Sequence, residues 1–560
     1  METLRKAFLL ILFFFCRQVS AQTYELQISV EGDYPELTNQ LQKLEGSGLD
    51  SIALGQIKGS AKQLLREKGY YLSEAQWQIM DSLYVLNIKP GLLFRWSSLE
   101  LVVPDTFPLI LPQGLLLQGQ TLNQSNLNAY AENYLQFLEN RGYPFAELQL
   151  QEYVVTNDSI TGVLVVNPGS LITLDSLVIK GYDRFSKNVL RYDLRFEKGM
   201  PYSEKYLQKL NDYINQIEYL TFNRPPAIAF SKDKTLLFLY VEEVKSNQVD
   251  GVIGLNTKED GEVTFNGDFQ LRLLNIFKKG EEIKVRWRRP DESISELDLG
   301  LTLPYLLNTP FWVEGNLNIF RQDSSFVNTE ADGILKYLIE SGSFLSGGID
   351  YRSSNVLTGN FIEIPGSSFG SFNTTAYKLG YERTTFNRVV VPTGGNFLRA
   401  YVSTGIRKTS VSELRQYGWE VTDEYYFSLI PNHIIKLGLR SEALIGDDLF
   451  ENELFRIGGL RTLRGFNEKS IYTSSYGIGT FEYRYMIGDY DYLTLFSDFA
   501  YVENSTLNSF SVNYFLGIGS GLNFRTNGGI FSLFYALGRD DLNPFDFRTS
   551  KIHFGYVNRF

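Results

Sequence analysis

Glu296-Leu-Asp-Leu-Gly-Leu-Thr-Leu303 alternates leucine with a polar or small residue along its whole length. Because successive side chains of a β-strand point to opposite faces, the pattern predicts a strand with one apolar and one polar face. Phe311-Trp-Val-Glu-Gly-Asn-Leu-Asn-Ile319 repeats the alternation, and similar segments recur from about residue 246 to Phe560, separated by stretches rich in Gly, Asn, Ser and Asp. The C-terminal half is therefore predicted to consist of antiparallel strands.

The setting of these strands decides between a soluble sandwich and a membrane barrel. A sandwich with one wetted face gives the same alternation. However, the strands recur through the entire half, as in lipid-facing barrels. The chain also ends in the amphipathic strand Gly555-Tyr-Val-Asn-Arg-Phe560, where Phe554, Tyr556 and Phe560 share one face. At roughly 20 residues for a strand and its connection, we predict a transmembrane antiparallel β-barrel of about 16 strands.

The N-terminus has the features of an export signal. Arg5 and Lys6 precede the apolar run Ala7–Cys16, and small residues follow at Val19-Ser20-Ala21. A retained membrane helix needs about 20 apolar residues, which is roughly twice the length of this run. Residues 1–22 are therefore predicted to be a secretory signal peptide.

Composition excludes several classes of function. The net charge of -11 argues against a nucleic-acid partner. The single cysteine, Cys16, lies in the signal, and only two histidines exist, His433 and His553, so we expect no enzyme activity, no cofactor and no metal site. Lipid attachment at Cys16 is disfavoured because Phe13-Phe14-Phe15 lacks small residues. Strand patterns, rather than a helix, follow Gly517-Ile-Gly-Ser-Gly521, which argues against a phosphate loop.

Residues 23 to 245 mix helix and strand patterns and contain a repeat. Pro90–Val102 realigns with Pro168–Lys180, and a helix pattern ending in a basic residue and a glycine precedes each copy, at Lys68-Gly69 and Arg141-Gly142. The apolar stripes of these two helices are Ile57, Ala61, Leu64 and Leu65, and Leu127, Ala131, Tyr134 and Leu138. A period of about 75 residues is too long for a solenoid and suits small α+β domains in series.

A third copy is predicted over Ser170–Glu243, although it has no glycine after its helix. That helix carries Tyr206, Leu210, Tyr213 and Ile217, and the last strand is Leu236–Val241. The predicted domains are the signal peptide 1–22, three α+β domains at 23–91, 92–169 and 170–245, and the barrel at 246–560.

Three polar patterns meet in the predicted barrel. Leu454-Phe-Arg-Ile-Gly-Gly-Leu-Arg-Thr-Leu-Arg-Gly-Phe466 places Arg464 in a loop, while Phe496-Ser-Asp498 and Gly479-Thr-Phe-Glu-Tyr-Arg-Tyr485 are alternating strands. The alternation assigns Glu482 and Asp498 to the lumen. An arginine that enters a lumen needs carboxylate partners, because an unpaired buried charge is unfavourable. The alternative is that Arg464 is a solvated loop residue and the two acids are ordinary lumen charges.

Together, the repeated domains, the Arg464-Gly-Phe466 loop and the C-terminal strand resemble the outer-membrane assembly superfamily that includes BamA and TamA. The resemblance implies three POTRA (polypeptide-transport-associated) domains in the periplasm and a barrel in the outer membrane. It also implies that Arg464 pairs with Asp498 and with Glu482, that Gly465 allows a tight bend and that Phe466 packs on the wall. The C-terminal signal for barrel insertion would comprise Gly555, Tyr556 and Phe560, although Asn558 departs from the usual apolar residue.

The resemblance further implies a factor that receives unfolded outer-membrane or secreted polypeptides on its POTRA domains and inserts or translocates them without covalent chemistry. Outer-membrane lipid, and a TamB-like inner-membrane protein or accessory lipoproteins, would be its other partners. Three domains resemble the TamA type more than BamA. Two alternatives stay open, namely a two-partner-secretion pore that exports one dedicated substrate and a passive porin-like channel.

Overall fold

The computed structural model describes residues 24–80, 83–104, 118–182, 184, 186–231, 234–257, 263–289, 294–357, 369–388, 390–506, 509–526 and 529–559. The predicted signal peptide and Phe560 lie outside the described residues. The chain divides into two compact units, of which the first comprises Met1–Thr173 and Pro201–Tyr206 and the second Leu174–Met200 and Leu207–Phe560. No helix in these described ranges is both long and apolar enough to cross a bilayer.

The first module packs two helices on a four-stranded sheet. Its elements are β1 (Tyr24–Val30), α1 (Pro35–Gln42), β2 (Gly46–Leu49), α2 (Ser51–Glu67), β3 (Glu74–Met80) and β4 (Leu83–Lys89). The Asp50 carboxylate caps α2 by accepting the Ala53 N–H at 2.7 Å. Leu54, Ala61 and Leu65 form the buried face of α2, so the amphipathic stripe predicted from the sequence is the face that meets the core.

The second module repeats this plan with fewer described elements. They are β5 (Arg95–Val102), α3 (Gln124–Glu139), β6 (Glu147–Thr156) and β7 (Ser159–Asn167). Asn123 caps α3 through the Asn126 N–H at 2.6 Å, and Tyr130, Tyr134 and Leu138 are buried. Gly142, which follows the helix, has φ +97°, as expected for a glycine that ends a helix.

The described part of the third module combines strands of unequal length with one α-helix. Its elements are β8 (Thr173–Leu174), β9 (Ser176–Lys180), a π-helical turn (Val189–Asp193), β10 (Met200–Pro201), α4 (Glu204–Asn215), β11 (Leu220–Phe230) and β12 (Thr235–Glu243). Leu210 and Ile214 are the buried residues of α4. Ile217 lies beyond the end of the helix, which corrects its predicted place on the helix, although its side chain is still buried.

All three modules share one strand topology. An early strand of each module runs parallel to the last strand of that module, as in β1–β4, β5–β7 and β9–β12. An antiparallel partner then follows on the other side of the last strand, in the orders β2-β1-β4-β3, β5-β7-β6 and β11-β12-β9. The repeat seen in the sequence is therefore a repeat of structure, and β3, β6 and β11 are equivalent edge strands.

The C-terminal half is a closed antiparallel barrel of sixteen strands, which confirms the predicted fold and strand number. Its strands are β13 (Gln248–Thr257), β14 (Val263–Leu274), β15 (Glu282–Arg289), β16 (Ile294–Leu303), β17 (Phe311–Gln322), β18 (Phe326–Glu340), β19 (Ser343–Val356), β20 (Phe372–Thr384), β21 (Gly395–Lys408), β22 (Glu413–Ile430), β23 (His433–Ile445), β26 (Ser475–Met486), β27 (Tyr492–Thr506), β28 (Ser509–Arg525), β29 (Ile530–Arg539) and β30 (Lys551–Arg559). The short hairpin β24 (Phe455–Ile457) and β25 (Ile471–Thr473) lies in the β23–β26 connection. We call the end where β13 begins the near end.

The barrel closes at a seam between its first strand, β13, and its last strand, β30. The described parts of these two strands share fewer residue pairs than any other two adjacent strands of the barrel. Between the described parts of β13 and β30 the pairs are Gln248–Arg559 and Val249–Asn558. By contrast, β13 and β14 pair without interruption from Gln248–Arg272 to Thr257–Val263. The barrel is closed at the near end of the seam, and among the residues that the structure describes no further pairs join β13 to β30.

Alternation in the barrel strands follows the sequence prediction. Leu299, Leu301 and Leu303 of β16 are exposed on the outside, whereas Glu296 and Asp298 line a cavity in the lumen. The apolar side chains therefore face the lipid, and the polar side chains face the lumen.

Candidate functional site

The connection between β23 and β26, residues 446–474, folds back into the barrel, and we call it the lumen loop. Its tip holds Leu463 and Arg464, both buried. The apolar part of the tip joins a cluster formed by side chains of the loop and of β26 and β27. The buried members are Ile457, Leu463, Tyr476, Ile478, Ala500 and Val502. The loop is thus packed against the wall and is not a solvated surface segment.

Arg464 makes a fork with two carboxylates of the wall. Its Nε donates to Asp498 Oδ2 at 2.7 Å, one terminal nitrogen donates to Asp498 Oδ1 at 2.7 Å, and the other donates to Glu482 Oε2 at 2.9 Å. The guanidinium also lies 3.6 Å from the centroid of the Phe496 ring. Both carboxylates are almost fully buried, so the structure brings together the three charged residues that the sequence singled out.

The ion pairs continue along the wall from Glu482. Arg484 donates its Nε to Glu482 Oε1 at 2.7 Å, and its guanidinium stacks near the Tyr426 and Tyr492 rings, 5.0 and 4.8 Å from their centroids. Glu482 thus serves two arginines, whereas Asp498 receives one. Such a network in a low-dielectric wall is favourable only while every charge keeps its partner.

Gly465 and Phe466 seat the tip of the loop on β28 and β29. Gly465 has φ +95°, and a Cβ there would lie 2.8 Å from the carbonyl carbon and oxygen of Leu537. A Cβ at Gly517 would lie 2.1 Å from the Arg464 carbonyl oxygen, so a glycine at this position lets the two backbones touch. Phe466 packs edge-on against Phe515, with ring centroids 5.3 Å apart. Strand glycines, including one from the discarded phosphate-loop pattern, form the receiving surface.

Sequence reasoning missed a second attachment of the lumen loop, at the start of the loop. Arg407 of β21 donates to Glu453 Oε1 at 2.5 Å and to the Asp448 carbonyl at 2.7 Å. Gln416 donates to the other Glu453 oxygen at 2.7 Å. Asn452 donates to Ser354 Oγ at 2.7 Å. The alternation of β21 assigns Arg407 to the lumen, but nothing in the sequence pairs it with a particular loop residue.

Polar space is left between the loop and the wall. A cavity of about 520 Å³ borders Arg456, Lys469 and a set of wall acids. These acids are Glu296, Asp298, Glu330, Asp332, Asp350, Glu420 and Glu442. Among the residues that the structure describes, no group of three His, Cys, Asp or Glu side chains is arranged to hold a metal ion.

Part of the third module contacts the turns at the near end of the barrel. Glu218 accepts two hydrogen bonds from Arg272 of β14, at 2.5 and 2.9 Å. Further hydrogen bonds run from Gln216 to the Phe386 carbonyl, from Arg195 to the Ile339 carbonyl and from Tyr192 to the Asn308 carbonyl. Tyr305 donates its hydroxyl to the buried Asp193 carboxylate. Burial raises the pKa of Asp193 to about 7, and the Tyr305 hydrogen bond opposes that shift.

The predicted C-terminal signal lies partly within the described residues. Gly555 is on β30, and a Cβ there would approach Leu460 of the lumen loop at 3.8 Å. Tyr556 packs on Phe531 with centroids 4.6 Å apart. Phe560 lies outside the described residues, and the role of these residues in barrel insertion stays a prediction.

Fold and site together define a membrane β-barrel whose lumen loop is pinned by a buried Arg-carboxylate fork and which follows a series of α+β modules. The Omp85 superfamily domain matches residues 275–560, just over half of the chain, and the chain belongs to this superfamily. It is an outer-membrane protein, its N-terminal POTRA modules lie in the periplasm, and the near end of the barrel is the periplasmic end.

Solved structures share the fold at low sequence identity. CdiB from Escherichia coli is 14% identical, with a TM-score of 0.54, over 84% of this chain and 90% of that chain. CdiB from Acinetobacter baumannii is 14% identical, with a TM-score of 0.51, over 94% of this chain and 100% of that chain. BamA from Haemophilus ducreyi lacking POTRA domains 1–3 is 17% identical, with a TM-score of 0.44, over 83% of this chain and 100% of that chain. No curated protein matches the sequence.

Proposed function

We propose that this protein assembles other polypeptides into or across the outer membrane, receiving them unfolded on its periplasmic modules and releasing them at the seam between β13 and β30. The observation that carries this proposal is that two residue pairs join the described parts of β13 and β30. Unpaired backbone groups are unfavourable in lipid, so the barrel would open where the fewest pairs must break. The freed edges could then pair with a client hairpin. Clients and outer-membrane lipid are therefore the proposed partners at the seam.

The lumen loop supports a lateral rather than an axial route. It occupies the lumen, and its two buried ion-pair attachments join Arg464 to Asp498 and Glu482 and Glu453 to Arg407. An axial pore would require both buried attachments to break, whereas lateral release requires the seam alone to part. We assign Arg464 the role of an internal brace, with no chemical step to perform.

The edge strand β6 is the proposed docking site for unfolded clients. It is the outer strand of the second module, and nearly all of its residues are exposed, with Tyr153 at 65% and Val155 at 51%. An open edge offers main-chain hydrogen bonds that are indifferent to client sequence. The equivalent edge of the third module, β11, contains Pro225 and Pro226, which lack the N–H needed for strand addition.

Site-specific photo-cross-linking tests this docking site. A benzophenone amino acid at Tyr153 of β6 is expected to capture a denatured outer-membrane protein during import. The matched control is Phe230 of β11, which is also an exposed edge aromatic and is expected to capture far less. Equal capture at both positions would remove β6 as the docking strand.

Depletion of the protein from its cells, followed by quantitative proteomics of the outer membrane, tests the function itself. Loss of many unrelated outer-membrane proteins supports the assembly factor. Loss of one secreted protein would instead support a two-partner-secretion pore, and loss of solute uptake alone would support a passive channel. Recovery with the wild-type gene, but not with a chain lacking 23–169, links the effect to the first two predicted domains.

A TamB-like inner-membrane protein or accessory lipoproteins are proposed as further partners of the predicted domains at 23–91, 92–169 and 170–245. Cross-linking of intact envelopes before affinity purification of the full-length chain tests them. Recovery of an inner-membrane protein that spans the periplasm supports the TamB-like partner, and recovery of lipoproteins alone supports the accessory type.

A further inference from the structure

The tip of the lumen loop, residues 458–469, contacts strands on both sides of the seam, and we call it the strap. Leu460, near the start of the strap, packs toward β27 and β29, on Phe496, Phe534 and Ala536. It also faces Gly555 of β30, where an added Cβ would lie 3.8 Å away. The strap therefore lies over the inner surface of the seam strand.

On the β30 side of the seam the strap is held by buried contacts. Arg464 pairs with Asp498 at 2.7 Å, and its side chain is 9% exposed while that of Asp498 is 1% exposed. The Arg464 and Gly465 carbonyl oxygens lie against Gly517 and Gly538, where added Cβ atoms would come within 2.1 and 2.6 Å of them. Dry, charged and closely packed contacts of this kind separate with difficulty.

On the β13 side the strap is held by polar contacts that water can reach. Arg461 donates to Gln270 Oε1 of β14 at 2.9 Å. Lys469 donates to Glu296 Oε1 of β16 at 2.5 Å, and its side chain is 31% exposed. Glu468, 40% exposed, lies 3.6 Å from Arg288 of β15. In each ion pair one partner reaches water, while the other, Glu296 at 5% or Arg288 at 7% exposed, is buried. Water at one partner screens these pairs and makes them weaker than the dry pair of Arg464 and Asp498.

The two sides therefore differ in strength although one short segment makes both sets of contacts. Three positions separate Arg461, which contacts the second strand of the barrel, from Arg464, which contacts β27. Any widening of the seam moves β14–β16 away from β27–β30, so it must break one set of strap contacts. The hydrated set breaks first.

We propose that the strap is a clasp across the seam, permanently seated on β27–β29, and that Arg461 and Lys469 set how often the seam opens by holding β14 and β16. They act as positioning residues, because neither has to touch the client. The inference deepens the proposed lateral release and rests on it for its biological meaning. The clasp itself consists of contacts within the protein, so it should be detectable without any client.

Distance measurement on the full-length mature protein in lipid nanodiscs tests the clasp without any client. Cysteines for nitroxide labels replace the outward-facing Leu299 of β16 and Phe554 of β30, a pair that spans the seam. Leu299 and Leu345 of β19 form the reference pair, which does not span it. Replacement of Arg461 and Lys469 by alanine is expected to raise the ratio of long to short distances for the first pair about tenfold, with the reference pair unchanged.

Lys378→Ala is the matched control, because Lys378 is a lumen lysine that pairs with Asp332 of the wall at 3.4 Å and does not contact the strap. It is expected to change neither distance. If the double variant leaves the Leu299–Phe554 distances as in the wild type, or if Lys378→Ala changes them equally, the clasp is refuted. Failure of the client experiments with an intact clasp would refute the proposed function instead.

A reversal experiment covers the case in which the double alanine variant does not fold. Gln270→Glu gives Arg461 a carboxylate partner. In a Lys469→Ala background it is expected to restore the short Leu299–Phe554 distance, whereas Gln270→Ala is expected to lengthen it. Identical distances for these two replacements would overturn the role of Arg461.

Discussion

Replacement of Arg464 by methionine tests the brace, because it removes the charge of the side chain and keeps much of its volume. Asp498 is 1% exposed and Glu482 is 3% exposed. Within the described chain, Arg464 is the cation paired with Asp498, whereas Glu482 also pairs with Arg484. The variant therefore leaves one buried carboxylate, that of Asp498, without a counter-charge.

The size of the effect follows from this asymmetry. Breaking a buried pair by removing one partner costs about 3 to 5 kcal/mol, because the remaining charge stays buried. Thr480 still donates to Asp498 at 2.9 Å, so the expected loss of unfolding free energy for Arg464→Met lies at the lower end of this range, about 3 kcal/mol. Asp498→Asn in the same chain removes the unpaired charge, so the double variant should be destabilised by less than the sum of the two single variants, with a coupling of about 1.5 to 3 kcal/mol.

Urea titration of the barrel in lipid measures these values, with tryptophan fluorescence and the mobility of unheated protein on gels as two probes. The titration applies where the folding and unfolding curves coincide. Lys378→Met serves as the control, because its pair with Asp332 is partly exposed, and we expect it to cost less than about 1 kcal/mol. An Arg464→Met barrel within about 1 kcal/mol of the wild type, or strictly additive single variants, would refute the reasoning from burial.

Three further predictions concern other parts of the site. At pH values between the ordinary aspartate pKa of 3.8 and about 7, Asp193 is protonated where it is buried against Tyr305 and ionised where it is exposed. Docking of the third module on the barrel is therefore strongest below pH 3.8 and weakens as the pH rises through about 7. A protease-protection assay measures this pH dependence, and Asp193→Asn should abolish it. An unchanged pH profile in the variant would contradict the role of Asp193. Gly517→Val should displace the lumen loop and expose it to trypsin, whereas Gly477→Val, which meets no atom within 4 Å, should not. Arg407→Met should destabilise the barrel by about 3 kcal/mol in the same urea titration, and Glu453→Gln should recover part of that loss.

The period of two in the strands explains how much of this structure could be predicted. Alternation assigns each side chain to the lumen or the lipid, which suffices for the sixteen-strand barrel and for the inward position of Glu482 and Asp498. It does not assign height along the barrel axis, because height depends on strand tilt and on stagger between strands. Arg407 was therefore recognisable as a lumen residue, but its meeting with Glu453 was not predictable.

Strand lengths and strand glycines escaped prediction for a related reason. The estimate of about 16 strands took the same length, roughly 20 residues, for every strand with its connection, but β22 has 18 residues and β15 has 8. A glycine in a strand pattern, such as Gly517, indicates a kink or a close approach but does not say what approaches it. Its steric role depends on a loop that arrives from more than 50 residues earlier in the chain, and no local pattern carries that information.

The contrast between the two ends of the lumen loop explains why a brace and an opening seam are compatible in one barrel. The Glu453 and Arg464 attachments join the loop to β21 and to β26–β27, and all of these strands lie on the continuous arc of the barrel away from β13. Opening at β13 and β30 therefore needs neither attachment to break. The contacts of Arg461, Glu468 and Lys469 are the ones that hold β14–β16 across the seam, and each of these three loop side chains is reached by water. Different residues of the same loop thus control the stability of the barrel and the opening of the seam. Variants should separate these two properties. Arg464→Met should lower the stability of the barrel, whereas loss of Arg461 and Lys469 should widen the seam with little change in stability.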